Sequence, residues 1–412
     1  AGDALTTGNN NTAIGYQALS AEDAHGSNTA IGYQTLNAQN AGADAYNVAV
    51  GHQAGLLVST GVRNVIIGGL AGDALTTGDY NVAIGYQALS AEDTGNRNTA
   101  VGYKSLEALN YDGDGLNTGV GYAAGQSMTS GTANTAIGAY AGDALTTGSS
   151  NTAIGRAALS AEDTGSKNTA VGYNALNTLN YDGDGYNTAI GYDAGTLVST
   201  GVQNTIVGGL AGDAMTTGNQ SVFIGYSAGT ATVDGTENIA IGSNALLTNV
   251  DGSKSTAIGT SALRNQEPAS AIDMYNVAVG HNAGYGVSTG TSNTIVGALA
   301  GDAITTGSDN VAIGRSALTA SDTGSRTIAV GAYSLYSQNP TGSDYFYNVA
   351  IGYQTAYNLT TGTPNVLIGA FAGHDITTGA RNTAIGHDAL SSEDTGSRNV
   401  AIGYEALQAL NY

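Results

Sequence analysis

The sequence is poor in the residue types that cross-link, stiffen or charge a protein. It contains no cysteine, no tryptophan, three prolines and only 10% charged residues. The absence of cysteine excludes disulfides, thiolate metal sites and cysteine nucleophiles. With so little proline the chain is neither collagen-like nor a Pro-rich disordered segment. No apolar run reaches the length of a transmembrane helix, so we expect no membrane insertion.

The few charges are strongly unbalanced. The chain has 32 acidic and 11 basic residues, which gives a formal net charge of −21. A surface of this sign repels nucleic-acid phosphates and anionic lipid headgroups. We therefore expect no nucleic-acid partner.

Glycine is abundant, and its spacing reveals an internal repeat. The motif Asn-Thr/Val-Ala-Ile/Val-Gly occurs in 23 copies, and 17 of the 22 intervals between its glycines are 17 residues long. We call each repeat a rung and its glycine the motif glycine. The five longer intervals divide the chain into four-rung units of about 70 residues, with an extra rung near residues 221–237. This predicts one continuous repeat domain over residues 1–412.

Within a rung the side chains alternate with the period of a β-strand. In the segment 11–16, Thr12, Ile14 and Tyr16 share one face, whereas Asn11 and Ala13 share the other with the motif glycine. Six-residue strands and tight turns in each 17-residue repeat leave no room for helices. The pattern predicts an all-β fold, a parallel β-solenoid (β-roll) of about 23 rungs. At ~4.8 Å per rung it would span roughly 110 Å.

Several positions recur in nearly every rung and are interpreted as structural ladders. The asparagine at the start of the motif is expected to form an amide ladder, and the Ile or Val before the motif glycine is expected to face the core. The next residue is often Tyr, and where it shrinks to Gly or Ala the following residue grows, which indicates a second packed face and a partner chain. Representative ladder positions are Asn11, Asn81, Asn151, Ile14, Ile84, Ile154, Tyr16 and Tyr86.

Arrays of the form Asn-Thr-Ala-Ile-Gly-Tyr-x-Ala-Leu, as at residues 11–19, cover essentially the whole chain. They resemble the head repeats of trimeric autotransporter adhesins and the repetitive shafts of phage tail fibres. In such adhesin heads each chain forms a left-handed parallel β-roll, and three rolls pack around an axis. The resemblance implies a left-handed homotrimer located outside the cell, at the cell surface or on a virion. Because the chain begins and stops inside rungs, we expect a segment of a longer fibre.

Longer loops between some rungs carry the candidate binding residues. Exposed aromatic side chains on loops are candidates for contact with a receptor or glycan: Tyr111, Tyr181, Tyr345, Phe346 and Tyr347. Two loops contain Asp-Gly-Asp-Gly, whose carboxylates are candidate Ca²⁺ ligands: Asp112, Asp114, Asp182 and Asp184. These loops lack the spacing of an EF-hand, so solvated turns are the favoured interpretation and no cofactor is required.

The acidic turns and the scarce histidines are the candidate reactive groups. Glu22, Glu92 and Glu162 each precede an aspartate in a turn, and without a cleft they are expected to be solvated edge charges. His52, His281 and His387 take the tyrosine position. They are expected to pack as aromatic rings; a metal or anion site around a trimer axis is the alternative. No phosphate-binding loop or metalloprotease motif is present, and we expect no enzyme.

Three functions remain. The favoured one is a structural and adhesive extracellular fibre that presents loops to a receptor or glycan. The second is a filament subunit that self-assembles end to end. The third is an ice-binding solenoid, which is disfavoured because the first strand position alternates Thr with Val and Ile, as at Val48, Val82 and Ile239.

Overall fold

The fold is built entirely from short strands and turns. A computed structural model describes residues 1–339 and 345–409 of the chain. The chain divides into two compact units, Ala1–Gln203 and Asn204–Tyr412. In each unit every strand is parallel to its neighbours, and the described residues contain no helix. The structure confirms the predicted parallel β-solenoid, with 23 strands, one in each rung.

The first unit contains eleven strands. Each pairs in parallel with the next, and equivalent motif positions lie opposite each other, as at Thr12 and Thr29. The strands are β1 (Thr12–Ile14), β2 (Thr29–Ile31), β3 (Val48–Val50), β4 (Val65–Ile67), β5 (Val82–Ile84), β6 (Thr99–Val101), β7 (Thr118–Val120), β8 (Thr135–Ile137), β9 (Thr152–Ile154), β10 (Thr169–Val171) and β11 (Thr188–Ile190).

The second unit contains twelve strands in the same parallel register. They are β12 (Thr205–Val207), β13 (Val222–Ile224), β14 (Ile239–Ile241), β15 (Thr256–Ile258), β16 (Val277–Val279), β17 (Thr294–Val296), β18 (Val311–Ile313), β19 (Ile328–Val330), β20 (Val349–Ile351), β21 (Val366–Ile368), β22 (Thr383–Ile385) and β23 (Val400–Ile402).

Each strand is three residues long, half the length that the motif predicts. The chain leaves the strand at the motif glycine, which has positive φ, for example 136° at Gly85. Gln87 and Leu89 also have positive φ, a conformation uncommon for such residues. Hydrogen bonds to neighbouring rungs offset its cost, because Gln87 N donates to Gly69 O and Leu89 N to Ser105 O, both at 3.1 Å.

The core lies behind the middle residue of each strand, and the expectation that Ile faces the core is wrong. Ala83 is buried together with Leu89, whereas Ile14 is 57% exposed and Ile84 is only half-buried. A rung this short encloses a narrow interior, and the leucine four residues after the motif glycine already fills it. Only a methyl-sized side chain then fits at the middle of the strand.

Where the middle residue is large, glycine replaces the leucine. Ile66 stands in the rung in which Gly72 takes the leucine position, and a Cβ added to Gly72 would lie 3.6 Å from Ile66. Phe223 likewise packs over Gly212 and Gly229, where an added Cβ would lie 2.8 Å from its ring. In these rungs the larger middle residue takes the space that leucine fills elsewhere.

The predicted asparagine ladder is present, although it joins side chain to backbone rather than amide to amide. Asn81 Oδ1 accepts a hydrogen bond from Asn98 N at 2.9 Å, and Asn81 Nδ2 donates to Gly95 O at 2.8 Å. Asn11 and Asn151 make equivalent contacts. Asn81 thus satisfies two backbone groups that would otherwise be buried without a partner.

Candidate interaction surfaces

The outward face of each strand is apolar or hydroxylated and carries no charge. In all 23 strands the first residue is Thr, Val or Ile and the third is Ile or Val, and both side chains point away from the core. The third residues retain substantial exposure, as at Ile67 and Ile190 in the first unit. Within each unit this outward face is a regular apolar surface, in a chain with a net charge of −21.

Aromatic rings stack along the edge of this face. Tyr16 stacks on Tyr33 with ring centroids 5.4 Å apart, and Tyr33 stacks on His52 at 5.2 Å. Further stacks are Tyr86–Tyr103–Tyr122, Tyr173–Tyr192 and His387–Tyr404. The aromatic packing expected for His52 and His387 is therefore confirmed. Tyr16 and Tyr86 themselves are exposed.

Where the tyrosine position is small, the next side chain fills the gap. Ala370 stands at such a position, and the ring of Phe371 makes edge contacts with Tyr353 at 5.5 Å and His387 at 5.7 Å. Tyr140 contacts Tyr122 in the same way, at 5.3 Å. The volume exchange predicted from the sequence thus keeps the outer row of side chains closely spaced.

The candidate receptor-contact residues are not equally accessible. Tyr345 and Tyr347 are exposed, and the Arg326 guanidinium lies 3.9 Å from the centre of the Tyr345 ring. Phe346 is only 4% exposed, so the expectation that its ring is exposed is wrong. Phe346 takes the interior position that the buried Met274 fills in an equivalent loop.

Tyr111 and Tyr181 occupy equivalent places and are half-buried. Tyr111 packs against the hydrophobic core of the first unit. Their backbone N–H groups donate to Glu92 Oε2 and Glu162 Oε2, respectively, both at 3.3 Å. These tyrosines therefore also hold their loops against the solenoid.

The Asp-Gly-Asp-Gly loops engage their carboxylates with protein partners. Asp112 accepts a hydrogen bond from Thr94 Oγ1 at 2.5 Å, and Asp114 pairs with Arg97. Asp182 accepts from Thr164 Oγ1 at 2.6 Å. The two aspartates of each loop thus have separate partners in the preceding rung.

Asp184 forms an ion pair with Lys167, with 2.6 Å between Lys167 Nζ and Asp184 Oδ2. The hydrogen bond from Lys167 lowers the pKa of the Asp184 carboxyl and raises the pKa of the ammonium group. Both side chains are exposed, so we expect this pair to contribute little to stability.

The acidic turns are not the solvated charges expected from the sequence. Glu22, Glu92 and Glu162 are fully buried, because they occupy the position that Leu, Val, Met or Ile fills in most other rungs. Glu92 Oε1 accepts a hydrogen bond from Gly95 N at 2.7 Å. Burial raises the pKa of the Glu92 and Glu162 carboxyls, and backbone N–H donors partly oppose the shift.

One group of side chains was missed by the sequence analysis. Glu22, Asp23 and His25 place one ligand atom each within 4.8 Å of one another. Among residues 1–339 and 345–409 no other set of three or more His, Asp and Glu side chains does so. The sequence contains a signal for this group, because His25 stands where the related turns have Gly95 and Gly165.

Comparisons with known proteins suggest no function, so any functional assignment rests on the geometry described above. The sequence matches no protein-family model and no curated protein. No cavity or cleft was found in the structure as described, and none of its described segments forms a helix long and apolar enough to cross a bilayer. What the described residues offer is a set of surfaces: the outward strand face, the aromatic edge and the loops.

Proposed function

We propose that this protein is a structural and adhesive extracellular fibre, without catalytic activity, of the kind found as a surface adhesin or a phage tail-fibre shaft. Its chains would associate as a left-handed homotrimer through the outward strand face. The single observation that carries this proposal is the uncharged, apolar character of that face. Ile190 and Ile258 present much of their surface to solvent on strands that bury only alanine.

A second copy of the same chain is the partner that best fits this face. An extended apolar surface marks an interaction site in a soluble protein, and this one repeats in every rung. A partner with the same repeat can match it rung for rung, as symmetric oligomers do. The net charge of −21 opposes close approach of chains elsewhere, so contact through the uncharged face is favoured.

The adhesive role is supported by the exposed aromatic side chains outside this face. Tyr345 and Tyr347 lie 6.0 Å apart between ring centroids, and Arg326 Nη1 donates to the Tyr347 hydroxyl at 2.9 Å. A cation held against two rings presents both apolar and hydrogen-bonding groups, which suits a glycan or a polar peptide.

The association is tested by placing charge on the outward face. In the variant I67K/I84K/V101K three lysines stand on adjacent strands of the first unit. A matched control is L116K/A133K/S150K, which adds the same charge at exposed turn positions equivalent to the native Lys167. The mass of each purified protein is measured by sedimentation equilibrium, and its secondary structure by circular dichroism.

We expect three chains per particle for the wild type and the control, and smaller particles for the face variant with its β-structure retained. A monomeric wild type would contradict the proposal. Filaments that lengthen with concentration would favour the end-to-end alternative. The adhesive role is tested separately by measuring the binding of the wild type and of Y345A/Y347A to glycan arrays. Equal binding by the two proteins would show that these tyrosines do not contact a glycan.

A further inference from the structure

We propose that Glu22, Asp23 and His25 form a binding site for one divalent transition-metal ion, with Zn²⁺ as the preferred species. The three residues lie within four positions of one turn, so a single backbone segment supplies every protein ligand. One imidazole nitrogen and two carboxylates are a donor set that Zn²⁺ accepts.

The separation of the donor atoms fits one metal ion. His25 Nδ1 lies 3.5 Å from Glu22 Oε1. Two ligands of a tetrahedral Zn²⁺ with bonds of about 2.0–2.1 Å are roughly 3.3 Å apart. The closest carboxylate oxygen of Asp23 completes a set whose members are all within 4.8 Å. Small side-chain rotations would bring all three donors onto a common ion.

Two polar atoms of these side chains are buried and have no hydrogen-bond partner. Glu22 is fully buried, and neither its Oε2 nor His25 Nδ1 is hydrogen-bonded. A buried polar atom without a partner costs about 1–3 kcal/mol, more for a charged group. A bound cation would remove this cost, and the exposed Asp23 leaves the ion a route from solvent.

Related turns of the same chain differ in how their buried glutamate is paired. At Glu92 both carboxylate oxygens are satisfied, Oε1 by Gly95 N at 2.7 Å and Oε2 by Tyr111 N at 3.3 Å. Glu162 has the corresponding two contacts. Glu393 Oε2 is also buried without a partner, in a turn with Gly396 at the histidine position, so what distinguishes the Glu22 turn is His25 and its unpartnered Nδ1.

The histidine is also sterically exceptional. A Cβ added to Gly95 would lie 2.5 Å from the carboxylate oxygens of Glu92, so a side chain at this position is forced against the glutamate. The His25 backbone is held there from both sides, because its N–H donates to Glu22 Oε1 at 3.0 Å and its carbonyl accepts from Asn11 Nδ2 at 2.9 Å. The ligands are thus preorganised by the rung.

The donor set selects the class of metal. Ca²⁺ and Mg²⁺ prefer oxygen ligands in sets of six or more, whereas imidazole suits Zn²⁺ and its neighbours. The experiment is calorimetric titration of the chelator-treated full chain with ZnCl₂, in buffer containing excess Mg²⁺ and Ca²⁺. We expect one tight Zn²⁺ per chain, and a Co²⁺ complex with the visible absorption of a tetrahedral N/O site.

The decisive variant is His25→Gly, which installs the residue that the related turns carry and therefore leaves folding intact. Zn²⁺ affinity is expected to fall at least tenfold in it and in Glu22→Gln. The control is His374→Ala, since His374 also lies beside a carboxylate, 2.7 Å from Asp375 Oδ1. Unchanged Zn²⁺ binding in His25→Gly, or no binding by the wild type, would overturn the proposal.

Discussion

Neighbouring residues of one strand meet opposite environments. On β5 the small Ala83 is buried, and the larger Ile84 beside it is half-exposed. In most globular proteins the larger apolar side chain would be inside. The comparison teaches that in a narrow solenoid the residue inside is the one that fits, and the large apolar residues left outside form the face that the proposed partner chain would cover.

The motif glycines, whose backbones stack closely from rung to rung, are the most sensitive positions for testing this comparison. Gly85 has a φ of 136°, and an added Cβ would overlap the carbonyl oxygen of Gly102. We expect Gly85→Ala to lower the free energy of unfolding by at least about 3 kcal/mol, because strain and a backbone clash combine. Chemical denaturation measures it.

Gly69 on the outer side is the matched control. A Cβ added there would lie 3.6 Å from Tyr86, an ordinary van der Waals distance. Gly69→Ala should change stability by less than about 0.5 kcal/mol. If Gly85→Ala and Gly69→Ala lowered the free energy of unfolding equally, the close backbone contact at Gly85 would not be the cause of the loss.

The buried asparagine ladder should give the next largest effect. Asn81→Ala leaves Asn98 N–H and Gly95 C=O without their partners, at an expected cost of about 2–4 kcal/mol in unfolding free energy. Asn81→Ser should cost less, because the native Ser221 still accepts a hydrogen bond from Asn238 N at 3.2 Å. Chemical denaturation of the two variants tests this order. A lower midpoint for Asn81→Ser than for Asn81→Ala would contradict it.

Changing the size of the buried and of the exposed side chain on β5 tests the two faces directly. Ala83→Ile should destabilise the chain by about 1–3 kcal/mol through overpacking against Leu89. Adding Leu89→Gly should recover part of the loss, since Phe223 is accommodated by Gly229. Ile84→Ala should cost an isolated chain less than about 1 kcal/mol while weakening its self-association. Thermal unfolding and sedimentation separate these effects.

The smallest expected effect concerns the buried carboxyls. The pKa values of Glu92 and Glu162 are raised by burial from the ordinary value of 4.5, so the folded chain binds these protons more tightly than the unfolded chain. Their contribution to stability is greatest below pH 4.5 and is lost as the pH rises through the raised pKa. Unfolding of the wild type and of E92Q/E162Q is compared between pH 4 and 7.

We expect the double variant to show a weaker dependence on pH than the wild type. The exposed Glu237→Gln serves as control and should follow the wild type. Parallel pH profiles for all three proteins would show that the buried glutamates are not responsible.

Much of the fold could be predicted from the sequence because it is periodic. The 17-residue repeat, the two-residue alternation and the recurring asparagine predicted the parallel strands and the ladder at Asn11, Asn81 and Asn151. Strand length was overestimated, because the motif glycine, for example Gly85 with a φ of 136°, ends the strand that the alternation continues to Tyr86.

The candidate sites were less predictable, because they depend on distances across rungs. Local polarity suggested that Glu22 and Glu92 are solvated and that Phe346 is exposed, yet all three are buried. The group at Glu22, Asp23 and His25 was visible only as a departure from the repeat.

The sequence by itself determined the period, the parallel register and the absence of disulfides, because these follow from spacing and composition alone. Only the tertiary structure decided which face of each strand is the core. Alternation distinguishes two faces without saying which is inside, and that choice depends on the space left by Leu89 and its equivalents once the rung closes.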